Sequence, residues 1–313
     1  MLSPLRRLVL RPFGRALQRL MWADSETRRE IQRYGVNVLP INFHSSVPSL
    51  AEVDESFEYA LPEAPYLDPA LFDADRLRRE LCALAVHAAE FAPPAAGDEE
   101  RPASFFWGNS QFSFSDAMAY YCMLRRHRPR TVLEVGSGFS TLVALEAVAR
   151  NGTGRVVCVE PYPRPFLAEL DVELVQERAQ ALDAGFFRSR LADGDVLFID
   201  STHTVKTGSD CVHLYLRVLP RIGRRLLVHA HDVFLPFGLP VDWLRERQIF
   251  WTEQYLLLAL LIDNPRGRIL YGSAYHHAYN RELLDAMMGG KWGSGGGSLW
   301  LEYAAPGGLS ASA

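Results

Sequence analysis

The sequence predicts an α/β protein built on an open, doubly wound, mostly parallel sheet, and three observations predict it. Thr131–Val135 is a short β-rich apolar run, Gly136-Ser137-Gly138 stops it, and Ser140–Ala149 resumes with helical periodicity. Arg155–Glu160 is a second apolar run, ending in a carboxylate about twenty residues beyond the glycines, where two oxygens would grip the hydroxyls of a ribose. Val196–Ile199 and Arg225–His231 are two more such runs, and each leads into polar residues. In such sheets ligands bind at the carboxyl ends of the strands. The glycines let the backbone pass close to a ligand, at the positive end of the helix that follows.

Residues 1–22 carry Arg7, Arg11, Arg15 and Arg19 at four-residue spacing, with Leu8, Leu10, Phe13, Leu17 and Leu20 between them and no acid before Asp24. This pattern reads either as a basic amphipathic helix resting weakly on an anionic membrane surface, or as a loosely held arm packed on its own domain or another subunit. Pro12 and Gly14 weaken the helix, and the uninterrupted apolar stretch of a secretory signal is missing. Residues 35–75, rich in proline and aromatics, read as an extended wrap. Asp75–Phe91 has a helical stripe of Leu77, Leu81, Leu84, Ala88 and Phe91; Pro93-Pro94 ends it, and a polar linker follows to Pro102. Ser115–His127 reads as a helix with Ser115 as N-cap. Asn109, Phe112 and Asp116 either overhang the ligand pocket or serve as cap and core. The expected organisation is an N-terminal extension over 1–104, one α/β domain over 105–304 and a disordered tail over 305–313.

Beyond Glu160, Val172–Gln176 is a third strand, followed by Arg178-Ala-Gln180. Asp200 closes the run Val196–Ile199, His203 stands three residues on, and a helix follows with Val212, Tyr215, Leu216 and Leu219 on one face. Arg225–His231 delivers His231 and Asp232 to the same rim, so carboxylate oxygens and an imidazole converge there, either as a divalent-metal site or as a polar strand-end network with no metal. His229, on the same strand face as His231, reads as a hydrogen-bonded inner histidine. Thr252–Asp263 is an aliphatic helix, and Arg268–Tyr271 and Leu299–Tyr303 are the last two strands. The glycine-rich run 289–298 is either a moving cover or a slack connection. His276, His277 and Trp292 show no identifying spacing.

With 313 residues, 48% hydrophobic and 22% charged, one large domain with an extension fits better than two equal ones. A net charge of −4 argues against nucleic acid as a partner. Cys82, Cys122, Cys158 and Cys211 lack paired spacing and read as reduced core thiols of a cytoplasmic protein, and a homo-oligomer is open.

The run Glu134-Val-Gly136-Ser137-Gly138-Phe-Ser140, followed by a strand-end acid, resembles the first two motifs of class I S-adenosylmethionine-dependent methyltransferases. Thr141 stands where a dinucleotide fingerprint has its third glycine, which counts against a pyrophosphate and so against a nicotinamide-dependent oxidoreductase. The resemblance implies the Rossmann-like sheet of seven strands, the last two pairing antiparallel. It implies S-adenosylmethionine as cofactor, with Glu134, Gly136, Ser137, Gly138 and Ser140 near the methionine part, Glu160 on the ribose and Gln180 at the adenine. Asp200-Ser-Thr-His203, the polar pair after the next strand and Trp251–Leu257 resemble the metal-dependent sugar O-methyltransferases of macrolide biosynthesis. That resemblance covers about residues 105–265.

The resemblance assigns Asp200 to a magnesium ion and His203 as general base. Where those relatives have an acid, this chain has His231; with His231 and Asp232 as further ligands, magnesium or manganese is expected, iron or zinc being compatible with the imidazole. Lys206 is a fallback base. The expected reaction is O-methylation of a hydroxyl on a small molecule or sugar, against a metal-independent N- or carboxyl-methyltransferase. The acceptor itself is not written in the sequence.

Overall fold

The structure, a computed structural model, describes residues 4–307. It divides into two compact units, 1–60 and 61–313. The first unit is helical: Pro4–Leu20, Ser25–Gln32, Leu50–Glu55 and Phe57–Ala60. Asp24 caps the second of these by accepting from the amides of Glu26 and Thr27, and Ser49 with Glu52 forms a capping box on the third. The stretch 35–75, expected as an extended wrap, therefore contains two short helices. Its prolines lie outside both of them.

The second unit carries the sheet. Its strands are β1 (Thr131–Val135), β2 (Arg155–Val159), β3 (Glu173–Val175), β4 (Val196–Ile199), β5 (Leu226–Ala230), β6 (Gly267–Gly272) and β7 (Leu299–Tyr303). They stand in the order β3-β2-β1-β4-β5-β7-β6, with β7 antiparallel to both neighbours and the other pairs parallel. This is a Rossmann-like, doubly wound, mostly parallel α/β architecture. Every residue of β1, β4, β5 and β7 is buried, so these strands need apolar side chains on both faces. One face packs under the helices Phe114–His127 and Phe139–Asn151, with Met118, Tyr121, Val143 and Ala147 in the contact. The other packs under Tyr215, Val218, Leu257 and Leu261.

The domain expected to begin at 105 begins earlier. The helix Ala74–Ala88 sends Leu77, Leu81 and Leu84, all fully buried, into the two cores of the second unit. Cys82 falls off that stripe and is exposed, so it is not a core thiol; the other three cysteines are buried. The helix from Asp210 to Ile222 widens into a π turn over Leu214–Val218, which rotates Leu216 outward and leaves Tyr215, Val218 and Leu219 inside. Ser115 is not an N-cap. It lies inside the helix Phe114–His127, and its hydroxyl bonds Gly295 of the glycine-rich loop through both the carbonyl and the amide. Residues 308–313 of the expected tail lie outside the described residues.

Candidate active site

The rim is built by continuing the sheet ladder past the strand ends. The Gly136 amide donates to the Val159 carbonyl, the Asp200 amide to Val135 and the His231 amide to Ile199. Because the chain reverses its direction of winding between β1 and β4, a crevice opens there, and these three residues border it. Gly136 has φ +86°, and a Cβ at that position would lie 1.7 Å from the Asp200 carbonyl oxygen. No side chain fits, so β1 and β4 can approach closely only with glycine.

The crevice has two lobes. One, of about 400 Å³, is bordered by Glu160, Tyr162, Arg178, Gln180, Asp200 and Lys206. The other, of about 330 Å³, is bordered by Gly138, Ser140, His203, His231, Asp232 and Trp251. Gly136, Glu160, Asp200 and Ser201 border both. Glu160 accepts from the Tyr162 amide at 2.8 Å and the Ser137 amide at 3.4 Å, which fixes its carboxylate over the glycine turn. Gln180 is exposed and reaches the Gly208 carbonyl at 3.4 Å. The Ser137 hydroxyl is buried without a hydrogen-bond partner beside this cleft.

Glu134 differs from the others. It is fully buried and borders neither lobe; it accepts from Tyr120 at 2.8 Å and from Thr141 at 2.5 Å. Burial pushes its carboxyl up to about 7, against the pull of those hydrogen bonds. Its oxygens tie β1 to the helix Phe139–Asn151, so Thr141 stands in the fingerprint's third-glycine place with a bonding role of its own. Asn109 does not overhang the cleft either. Its amide clamps its own loop through the carbonyls of Phe106 and Phe112.

The second lobe gathers the acids and histidines. Asp200, His231 and Asp232 each offer one ligand atom, all within 4.8 Å of one another. His231 Nδ1 is buried without a hydrogen bond and faces Asp200 at 3.4 Å and Asp232 at 3.7 Å. Its other nitrogen faces Asp116 at 3.4 Å. His203 Nε2 lies 3.1 Å from Asp200 and 3.6 Å from Asp232, so His203 stands on the rim itself and not outside it. His203 and Asp232 both have left-handed backbone, with φ +54° and +55°. Uncommon conformations of this kind gather at functional sites.

Electrostatics bind the cluster together. Burial would raise the Asp200 carboxyl, but the imidazoles of His231 and His203 hold it well below the usual carboxylate range. Asp232 goes the other way, raised by burial, because two carboxylates this close do not both ionise cheaply. His203 is raised to about 10: burial opposes its charge, and the hydrogen bonds its ring donates to the Asp200 and Glu253 carboxylates outweigh it. Burial likewise opposes a charged His231, yet Asp232 and Asp200 hold it well above its ordinary value. The cluster therefore keeps protons to balance its carboxylates. A dication would balance them in place of those protons, and the orphaned Nδ1 is the donor it would need; the residues fit such an ion. His229 stays inside, bonded to Ser298 at 2.7 Å and stacked on Trp300, with burial holding it neutral.

One member of the site escaped the sequence reading. Glu253, 2% exposed, accepts from Tyr215 at 2.6 Å and pairs with His203 Nδ1 at 2.8 Å. The His203 carbonyl in turn accepts from the amides of Thr252 and Glu253, which docks the start of the helix Glu253–Leu261 against that histidine. Asp116, one of the residues read as overhanging the pocket or serving as cap and core, sits behind His231 and holds the glycine-rich loop by accepting from the amides of Gly297 and Ser298; it also accepts from the Ser273 hydroxyl. That loop is thus tied down beside the site.

Residues 133–233 match a family model described as a methyltransferase domain, about from β1 to just past β5. A protein of Archaeoglobus fulgidus described as uncharacterized is 26% identical over 160 residues, covering 48% of this chain and 72% of that one. The solved structure of the plantazolicin methyltransferase BamL, in complex with triazolic desmethylPZN analog and SAH, aligns over 81% of this chain and 90% of its own, at 10% identity and a TM-score of 0.33.

Proposed function

We propose that this chain is an S-adenosylmethionine-dependent methyltransferase, a reading that the family match over residues 133–233 supports, and that it methylates a hydroxyl of a small molecule or sugar, with a divalent cation held by Asp200, His231 and Asp232. One observation carries the reading: His203 is held from behind by Glu253 and presents Nε2 to the two rim carboxylates, beside the orphaned Nδ1 of His231. Glu160 and the glycine turn would hold the donor in the first lobe, with Gln180 at the adenine edge. The sulfonium is already activated, so the protein's task is to align donor and acceptor and to free the acceptor oxygen of its proton. His203 would take that proton on Nε2, because its Nδ1 is committed to Glu253. A cation at the three ligands would acidify an acceptor hydroxyl and relieve the carboxylates' hold on the His203 proton. Trp251, its ring 4.3 Å from that of His203, would shield the transfer from water.

Calorimetry with S-adenosylhomocysteine tests the donor half. Glu160→Ala should weaken binding by about 1.5–3 kcal/mol, the worth of a charged hydrogen-bond acceptor. Unchanged affinity in the folded variant removes Glu160 from the site. A screen of hydroxylated acceptors with methyl-labelled donor, run with and without chelator, tests the rest. Label transfer that survives exhaustive chelation would leave the donor half standing and refute the cation.

A further inference from the structure

Independently of that chemistry, we propose that the first unit binds anionic membrane surfaces, with the helix Pro4–Leu20 lying in the plane of the lipid headgroups. At 100° per residue, Val9, Phe13, Ala16, Leu17 and Leu20 share one side of this helix, and Arg11, Arg15, Gln18 and Arg19 the other. The apolar side is uncovered: Val9 is 55% exposed, Phe13 64% and Leu17 49%. A soluble helix normally buries such a stripe, whose exposure costs about 25 cal/mol per Å² of apolar surface. Arg11, Arg15 and Arg19 are exposed as well, and no carboxylate occurs before Asp24 to balance them.

The rest of the unit repeats the pattern. Trp22, Tyr34 and Phe43 are 75%, 78% and 88% exposed, and Trp22, Leu39, Ile41 and Val47 border an apolar hollow of about 630 Å³. Exposed Trp and Tyr beside an arginine-bearing apolar helix suit the lipid–water boundary, where rings meet both media. Among the described residues no helix is long and apolar enough to cross a membrane, which fits a helix lying on the surface.

The charge selects the occupant. A second copy of the chain would bring an equally unbalanced arginine row beside the first, and like charges repel. A sheet of lipid phosphates neutralises the row and receives the apolar side at the same time.

Vesicle sedimentation of the full-length protein tests the proposal, using phosphatidylcholine alone and phosphatidylcholine mixed with phosphatidylglycerol. The expected partitioning is at least about tenfold stronger on the anionic vesicles and falls as salt is added. Phe13→Ser should abolish binding. Arg11→Gln with Arg15→Gln and Arg19→Gln should erase the preference for anionic lipid. Unchanged helical content by circular dichroism verifies that each variant keeps the first unit folded; should one variant misfold, the other still decides. Wild-type protein that stays in the supernatant with both vesicles, or that binds both equally, overturns the proposal. So does a solution dimer that Phe13→Ser converts to monomer without any vesicle binding, which would give this face to a second copy.

Discussion

At the scale of residues, the account turns on which groups hold a proton. Glu253 fixes His203 through Nδ1 and is itself fixed by Tyr215, so the imidazole has one orientation, with Nε2 turned to Asp200 and Asp232. Glu253→Gln should lower turnover roughly 10²–10⁴-fold, as losing an orienting acid does, with S-adenosylhomocysteine affinity unchanged. Without the carboxylate the His203 pKa falls, so the rise of activity with pH should move to lower pH; a pH–rate profile of the variant checks this. His203→Ala should cost a similar factor with little change in metal affinity. His231→Ala should instead weaken metal binding and recover part of its activity in excess metal. Rescue of His203→Ala but not of His231→Ala would reverse the two roles. Glu134 gives a stability prediction. Its carboxyl rises from about 4.5 to about 7 on folding, so the native state takes up a proton between those values. Its contribution is fully present below pH 4.5 and is lost as pH rises through 7, about 3 kcal/mol in all. Glu134→Gln carries no charge to bury, so its melting temperature should gain on the wild type across that window. Parallel pH curves for the two proteins would contradict the assignment.

At the scale of elements, the strand ends do the positioning, and the two glycines of the first turn act differently. Gly136→Ala sets a methyl against the Asp200 carbonyl at φ +86° and should destabilise the fold by more than about 2 kcal/mol. Gly138→Ala meets nothing within 4 Å and should keep the wild-type melting temperature while weakening S-adenosylhomocysteine binding, because the added methyl points into open cleft. Equal effects of the two substitutions would refute the distinction. Much of this was legible in the sequence: buried parallel strands are continuous apolar runs, and β1, β2, β4 and β5 could be read with their rim residues Glu160, Asp200, His231 and Asp232. Glu253 was not, and of Asp116 only its place near the pocket was read, not its partners. Glu253 meets His203 from a helix 50 residues on, and Asp116 meets Ser298 across 182, so no local spacing encodes either contact. The π turn at Leu214–Val218 also broke the regular period that put Leu216 inside.

At the scale of the whole molecule, the chain joins a unit from residue 61 onward, which carries the candidate site, to a first unit with an exposed cationic, apolar helix. In the second unit, the rim cluster is proposed as an ion site and not a self-contained polar network. Manganese binding followed by electron paramagnetic resonance tests this without knowing the acceptor. The wild-type protein should take up one ion per chain, more tightly as pH rises, because His231 must shed the proton that the neighbouring carboxylates hold on it. Asp200→Asn and Asp232→Asn should each abolish the bound signal while S-adenosylhomocysteine still binds. A wild-type chain that leaves manganese free at every pH, with the donor site intact, would contradict the account.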